Sequence, residues 1–100
     1  MTRQALVAWL RSRVPAPPAG LRTHLEATAG DSAEPLPEHL ARLGQEVLAR
    51  VAREPAGGRE LALDLLAADA LVTYAFEAQV ELDPAGLVPL AERVEAGGEP

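Results

Sequence analysis

The sequence predicts a small all-α protein, a bundle of four to five helices around one long central helix. First, the stretch Arg59–Leu82 contains no proline or glycine and consists largely of good helix formers. Second, hydrophobic residues make up 48% of the chain but aromatic residues only 3%, so alanine and leucine dominate and favour helices over strands. Third, no valine-containing stretch alternates with polar residues over the length of a strand.

The first predicted helix is capped by Thr2 and runs to about Val14, where Pro15 stops it. Residues 15–20, PAPPAG, form a stiff extended connector because each proline fixes its own φ and disfavours helix in the residue before it. The basic residues of this helix are expected to face water, since its apolar residues recur at helical spacing.

A short second helix is expected over residues 21–29, with Gly30 as its C-cap, followed by a loop over residues 30–37. The next helix, residues 38–54, has leucine and valine at three- and four-residue spacing and polar residues on the other side. Pro55, Gly57 and Gly58 close this helix and leave a tight connection to the central one. We therefore expect these two helices to pack as an antiparallel hairpin.

The central helix has apolar residues on two sides, so both sides must be covered. One face contains Leu61, Leu65, Ala68, Val72 and Phe76, and the other contains Leu63, Ala67, Ala70 and Tyr74.

After the central helix, Asp83 and Pro84 give a helix-start signal, a capping residue followed by a first-turn proline. Pro89 interrupts this signal, so the expectation is a single turn over residues 84–88 and then a short helix over residues 89–96. The sequence thus predicts one domain over residues 1–96 and a frayed tail over residues 97–100.

Composition narrows the function classes. A net charge of −6 argues against binding nucleic acid, because that affinity rests on neutralising phosphates. No stretch is long and apolar enough for a membrane span or a signal-peptide core. The absence of cysteine fits a cytoplasmic protein, and basic residues that are all arginine suggest a bacterial genome rich in G and C.

Charge is unevenly distributed along the chain. Residues 1–25 hold four arginines and no acidic residue, whereas residues 60–100 hold nine acidic residues and one arginine. Opposite charges at the two ends can attract each other within the fold or between copies. Asp69 lies in the least polar part of the central helix, so it is expected either to pair with Arg11 or Arg13 or to reach solvent at the edge of the seam.

No residue pattern predicts catalysis, a metal site or a cofactor site. His24 and His39 are not part of a helical pair of ligands, and neither Ser12 nor Ser32 lies in a strand-turn-helix elbow. Glu77 and Glu81 are four residues apart on one helix face. Because like charges at that spacing repel slightly, they suggest an acidic docking surface for a basic partner, or a solvated face.

Association therefore remains as the favoured function, in a non-catalytic protein-interaction or accessory-subunit module. The second face of the central helix either forms a twofold dimer interface or is covered as ordinary core. The candidate interface residues are Leu63, Ala67, Ala70, Tyr74 and Ala78. The alternative is a small apolar-ligand-binding protein or minor enzyme, with a pocket between helices near Trp9, Tyr74 and Phe76.

Overall fold

The computed structural model describes residues 1–53 and 58–97 and contains five α-helices and one 3₁₀ turn in that part of the chain. The elements are α1 (Arg3–Arg11), α2 (Ala19–Thr28), α3 (Leu36–Arg53), α4 (Arg59–Leu82), the 3₁₀ turn (Pro84–Gly86) and α5 (Leu87–Gly97). The predicted all-α class and the long central helix are confirmed. The predicted connection at Pro55 and Gly57, and the tail beyond Gly97, lie outside the described residues.

Helix α4 has the predicted bounds and is unbroken. At about 1.5 Å per residue it is roughly 36 Å long. The whole molecule measures 39 × 31 × 23 Å, so α4 runs nearly its full length. The other elements pack around this rod, which explains why two sides of it are apolar.

Helices α3 and α4 form the predicted antiparallel hairpin. Their close approach depends on Gly44, because an added Cβ would lie 2.9 Å from Val72 Cγ2 and 3.1 Å from the carbonyl oxygen of Ala68. Six residues later in α3, Arg50 pairs with Asp64, earlier in α4, as an antiparallel arrangement requires. Glycine at this point lets the two backbones pack more closely than any side chain would allow.

One hydrophobic core joins all five helices. Each helix contributes a leucine that is at most 3% exposed, and the alanines of α4 fill the spaces between them. The leucines are Leu6 and Leu10 from α1, Leu25 from α2, Leu40 from α3, Leu71 from α4 and Leu90 from α5.

The first helix ends three residues earlier than predicted. The Ser12 hydroxyl donates a hydrogen bond to the carbonyl of Trp9, and the Ser12 amide binds the last turn as well, so the helix closes at Arg11. Gly30 is not the C-cap of α2, since Ala29 holds that place in an extended conformation. An extended residue needs no glycine.

The C-terminal helix begins earlier than predicted and passes through Pro89. Asp83 caps the 3₁₀ turn by accepting a hydrogen bond from the amide of Ala85, as its position before Pro84 suggested. Helix α5 then starts at Leu87, which makes Pro89 its third residue. The first four amides of a helix have no partner within the helix, so a proline there removes no hydrogen bond.

Candidate interaction surface

The five residues predicted as an interface are covered within the single chain. Ala67 and Ala78 are completely buried, and Leu63, Ala70 and Tyr74 are partly buried, Ala70 and Tyr74 against the core. They do not form the exposed interface that the sequence suggested. On this side of α4, Trp9 of α1 packs edge to face against Tyr74, and the alanines belong to the core or pack against it.

A different side of α4 is left uncovered over most of its length. Large apolar side chains are exposed there at Leu65 (45%), Leu66 (53%) and Val80 (50%). Together with their neighbours on that side they form a set that we call the α4 stripe; it consists of Ala62, Leu65, Leu66, Asp69, Thr73, Phe76 and Val80. Apart from the adjacent Leu65 and Leu66, successive positions are three or four residues apart, which places them on one side of the helix. Phe76 is half-buried against the core, and the other members are exposed.

The α4 stripe continues along one edge into an open groove between α3, α4 and α5. The groove has a volume of about 320 Å³, and Leu48 and Leu65 stand on its two sides, each about half exposed. Val72 and Val94 complete its apolar lining, with Asp69 at the rim. Apolar area in the groove and on the stripe is thus contiguous, the arrangement typical of interaction sites.

Asp69 is not held by the arginines that the sequence proposed. Arg11 donates two hydrogen bonds to the Glu26 carboxylate, at 2.8 and 3.1 Å, and Arg13 pairs with Glu81 at 3.1 Å. Asp69 is exposed in the middle of the α4 stripe. The arginines lie near α2 and the C-terminal end of α4, which corrects the predicted pairing.

Of the three aromatic residues proposed as a ligand pocket, Trp9 and Tyr74 pack against each other, and Phe76 lies on the α4 stripe. The rings of Trp9 and Tyr74 meet edge to face, with centroids 6.0 Å apart, and the Arg13 guanidinium lies 3.8 Å from the centre of the Trp9 ring. Burial, with a smaller contribution from the Glu77 carboxylate, raises the pKa of the Tyr74 phenol.

The predicted acidic docking residues have different surroundings. Glu77 is exposed near Tyr74, whereas Glu81 is about half exposed and already binds Arg13. The Arg13–Glu81 pair joins the basic N-terminal part of the chain to its acidic C-terminal half, within one molecule. A docking role for these glutamates stays a prediction.

A cluster of polar side chains surrounds Asp64, and the sequence did not predict it. Its carboxylate lies 2.5 Å from His24 Nε2 and 3.2 Å from a guanidinium nitrogen of Arg50. The hydrogen bond with His24, followed by the charge and hydrogen bond of Arg50, lowers the pKa of Asp64 against the opposing effect of burial. The only sequence signal was an acidic residue near the apolar faces of α4, and its partners lie 40 and 14 residues away.

This cluster borders an open cavity of about 360 Å³, lined by His24, Thr28, Glu46 and Arg50 among others. A histidine oriented by a carboxylate can act as a base when a nucleophile lies beside it. The nearby Thr28 hydroxyl instead donates to the carbonyl of Leu25. The cluster therefore ties α2, α3 and α4 together, and its geometry provides no nucleophile–base pair.

His39 is the other histidine, and it is buried in α3. Burial is the main cause that lowers the pKa of His39, so its neutral form is favoured. Within residues 1–53 and 58–97, no group of three or more histidine, aspartate or glutamate side chains is placed to hold a metal ion. None of the helices described is long and apolar enough to cross a membrane.

The α4 stripe leaves a signal in the sequence, but this signal alone does not single out the exposed face. Apart from Leu65, its positions repeat with the three- and four-residue intervals of a coiled-coil seam. That signal competes with the two other apolar faces of the same helix, and only packing decides which face stays exposed. The chain matches none of the family models, curated proteins or solved structures with which it was compared.

Proposed function

We propose that this chain is a non-catalytic protein-interaction module, an accessory subunit that docks through the α4 stripe. The observation that carries this proposal is the contiguous apolar surface on α4 and the adjoining groove. Three large aliphatic side chains of one helix expose about half of their area to water. Covering them in a complex would remove apolar area from water at roughly 25 cal/mol per Å².

Two further features support an interaction role over catalysis. The polar cluster that most resembles a catalytic arrangement lacks a free nucleophile, because the Thr28 hydroxyl donates to a backbone carbonyl. Trp9 and Tyr74, first considered for a ligand pocket, pack edge to face against each other. The proposal includes a cytoplasmic location, supported by the absence of cysteine, and a bacterial origin, supported by basic residues that are all arginine.

Site-specific photo-crosslinking in the cell of origin tests this function. A photoreactive amino acid at Leu66, in the α4 stripe, is expected to give a discrete adduct. The same photoreactive amino acid placed at Val88, which is 66% exposed on α5, serves as the control and should give no adduct. The partner is identified from the crosslinked peptide, and its binding is then measured with purified components and with Leu66→Glu. The absence of an adduct specific to position 66 would contradict the proposal.

A further inference from the structure

The geometry points to a second copy of this chain as the occupant of the α4 stripe, with the two α4 helices packed antiparallel about a twofold axis. This inference rests on the proposed function, since it names the partner for the same surface. It differs from the interface that the sequence suggested, whose residues are buried or half-buried within the single chain. The α4 stripe matches itself when its direction is reversed.

The α4 stripe is nearly symmetric about the level of Leu71. An axis at that level places Ala62 opposite Val80 of the second copy, each nine residues from the centre. It also brings Phe76 of the second copy, half-buried against its own core, opposite Leu66, while Leu65 lies level with Glu77. A small side chain thus faces a branched one, and Leu66 faces a ring, so side-chain volumes complement each other at these positions.

The polar residues of the α4 stripe also match. Asp69 and Thr73 are each two residues from the centre, so each carboxylate faces the hydroxyl of the second copy. In the single chain this hydroxyl donates to the carbonyl of Asp69 at 2.9 Å. A rotation about χ1 redirects it to the facing carboxylate, which gives the acid in the apolar stripe a hydrogen-bond donor. One polar position in a helical seam fixes register at a cost in stability.

Charges at the ends of α4 favour the antiparallel direction. Arg59 and Glu60, both exposed, lie in the first turn, and Asp83, also exposed, follows the last turn. An axis at Leu71 places Arg59 level with Asp83 of the second copy, whereas parallel pairing would place Arg59 beside Arg59 and Asp83 beside Asp83. Rim charges of this kind determine orientation more than affinity.

The dimensions fit a weak dimer. From Ala62 to Val80 the stripe extends over roughly 27 Å at 1.5 Å per residue. A specific interface buries about 1,000 Å² or more, so the adjoining groove at Leu48 must contribute area beyond the stripe itself. Association in the micromolar range is therefore expected, because interfaces near this lower limit are transient.

Sedimentation velocity of the purified chain tests self-association, over about 1 to 100 µM, where a weak interface changes occupancy. The wild type is expected to shift from monomer to dimer. Leu66→Glu should weaken the dimer by at least about tenfold, because two buried leucines are lost per dimer. The control Val88→Glu adds the same charge at an exposed position outside the stripe and should dimerise like the wild type. Circular dichroism checks that each variant is folded.

The absence of cysteine allows a direct test of register. The double variant Ala62→Cys and Val80→Cys should form intermolecular disulfides under mild oxidation, as should a mixture of the two single variants. Each single variant alone should stay largely uncrosslinked, since in the antiparallel dimer its two thiols lie near opposite ends. Efficient crosslinking of the single variants would mean parallel pairing and would overturn the proposed geometry.

The outcomes separate this inference from the proposed function. A wild type that remains monomeric at all concentrations, and shows no disulfide in the mixture, overturns the second copy as occupant. If an adduct with another protein still forms at Leu66 in cells, the interaction function stands with a different partner. If neither appears, both proposals fail.

Discussion

Asp64 is the residue at which three helices meet, and its ionisation couples their packing to pH. His24 from α2 and Arg50 from α3 both contact its carboxylate. Because these contacts lower its pKa, the folded protein binds fewer protons at this residue than the unfolded chain does. The resulting stability is present above the usual aspartate pKa and is lost as pH falls through the lowered value.

We predict that Asp64→Asn lowers the free energy of unfolding at pH 7 by about 1 kcal/mol. This is the contribution of a charge-assisted hydrogen bond, reduced because solvent partly screens the charges. The difference from the wild type should shrink as pH falls below the usual aspartate range, since a protonated carboxyl is then being compared with an amide. Urea unfolding at pH 7, 5 and 3 measures this. Glu60→Gln, at an exposed position in the same helix, is the control. An equal deficit at every pH would show that the carboxylate charge is not the cause.

At the scale of elements, the contact between α3 and α4 depends on the absence of one side chain. Gly44→Ala should destabilise the protein by about 1 kcal/mol, because overpacking costs about 1–3 kcal/mol and improved helix propensity returns up to about 1. The carbonyl oxygen of Ala68, 3.1 Å from the new Cβ, belongs to the backbone and cannot rotate away. Thermal unfolding followed by circular dichroism measures the loss.

Gly20→Ala is the matched control for Gly44→Ala. An added Cβ at Gly20, in the first turn of α2, meets nothing within 4 Å. It should therefore stabilise the protein by a few tenths to about 1 kcal/mol, since alanine loses less backbone entropy than glycine in a helix. Opposite signs for the two substitutions are expected. If Gly44→Ala stabilises the protein as Gly20→Ala does, the helix contact at Gly44 is not tight.

The elements themselves were predictable where local chemistry decides them. The bounds of α4 follow from a run without proline or glycine, and Asp83 caps the turn that its position predicted. The end of α1 was missed because a serine hydroxyl, with no sequence signature of its own, closes the helix ahead of the proline. The sequence suggests that Pro89 interrupts a helix, but it falls in the first turn of α5, where it removes no hydrogen bond.

The exposed face of α4 could not be predicted, since periodicity alone leaves three apolar sides of one helix to choose from. Ala67 is core on the side of α4 where Trp9 of α1 packs against Tyr74, whereas α3 approaches α4 at Ala68 and Val72. Those contacts join residues far apart in the sequence. The same reason explains why Asp69 lacks its predicted arginine, since Arg13 lies beside Trp9 and Glu81 instead.

At the scale of the whole molecule, Arg13 connects the basic start of the chain to its acidic end. Its guanidinium lies over the Trp9 ring at 3.8 Å and pairs with Glu81 at 3.1 Å, so one side chain holds α1 against the C-terminal end of α4. A cation over an aromatic ring contributes about 0.5–1 kcal/mol at partly exposed sites, and an exposed ion pair contributes less.

We therefore predict that Arg13→Gln lowers the Tm by about 4–8 °C, the shift that about 1 kcal/mol produces in a domain of this size. Trp9 is the only tryptophan, so its emission reports on this contact alone and should move to longer wavelength as α1 loosens. Arg11→Gln is the control. The Arg11 side chain is 62% exposed, and the substitution removes its ion pair with Glu26. It should leave the emission unchanged and the Tm nearly so. If both variants shift the emission alike, the loss of any N-terminal arginine loosens α1, and the contact of Arg13 with Trp9 and Glu81 is not what holds it.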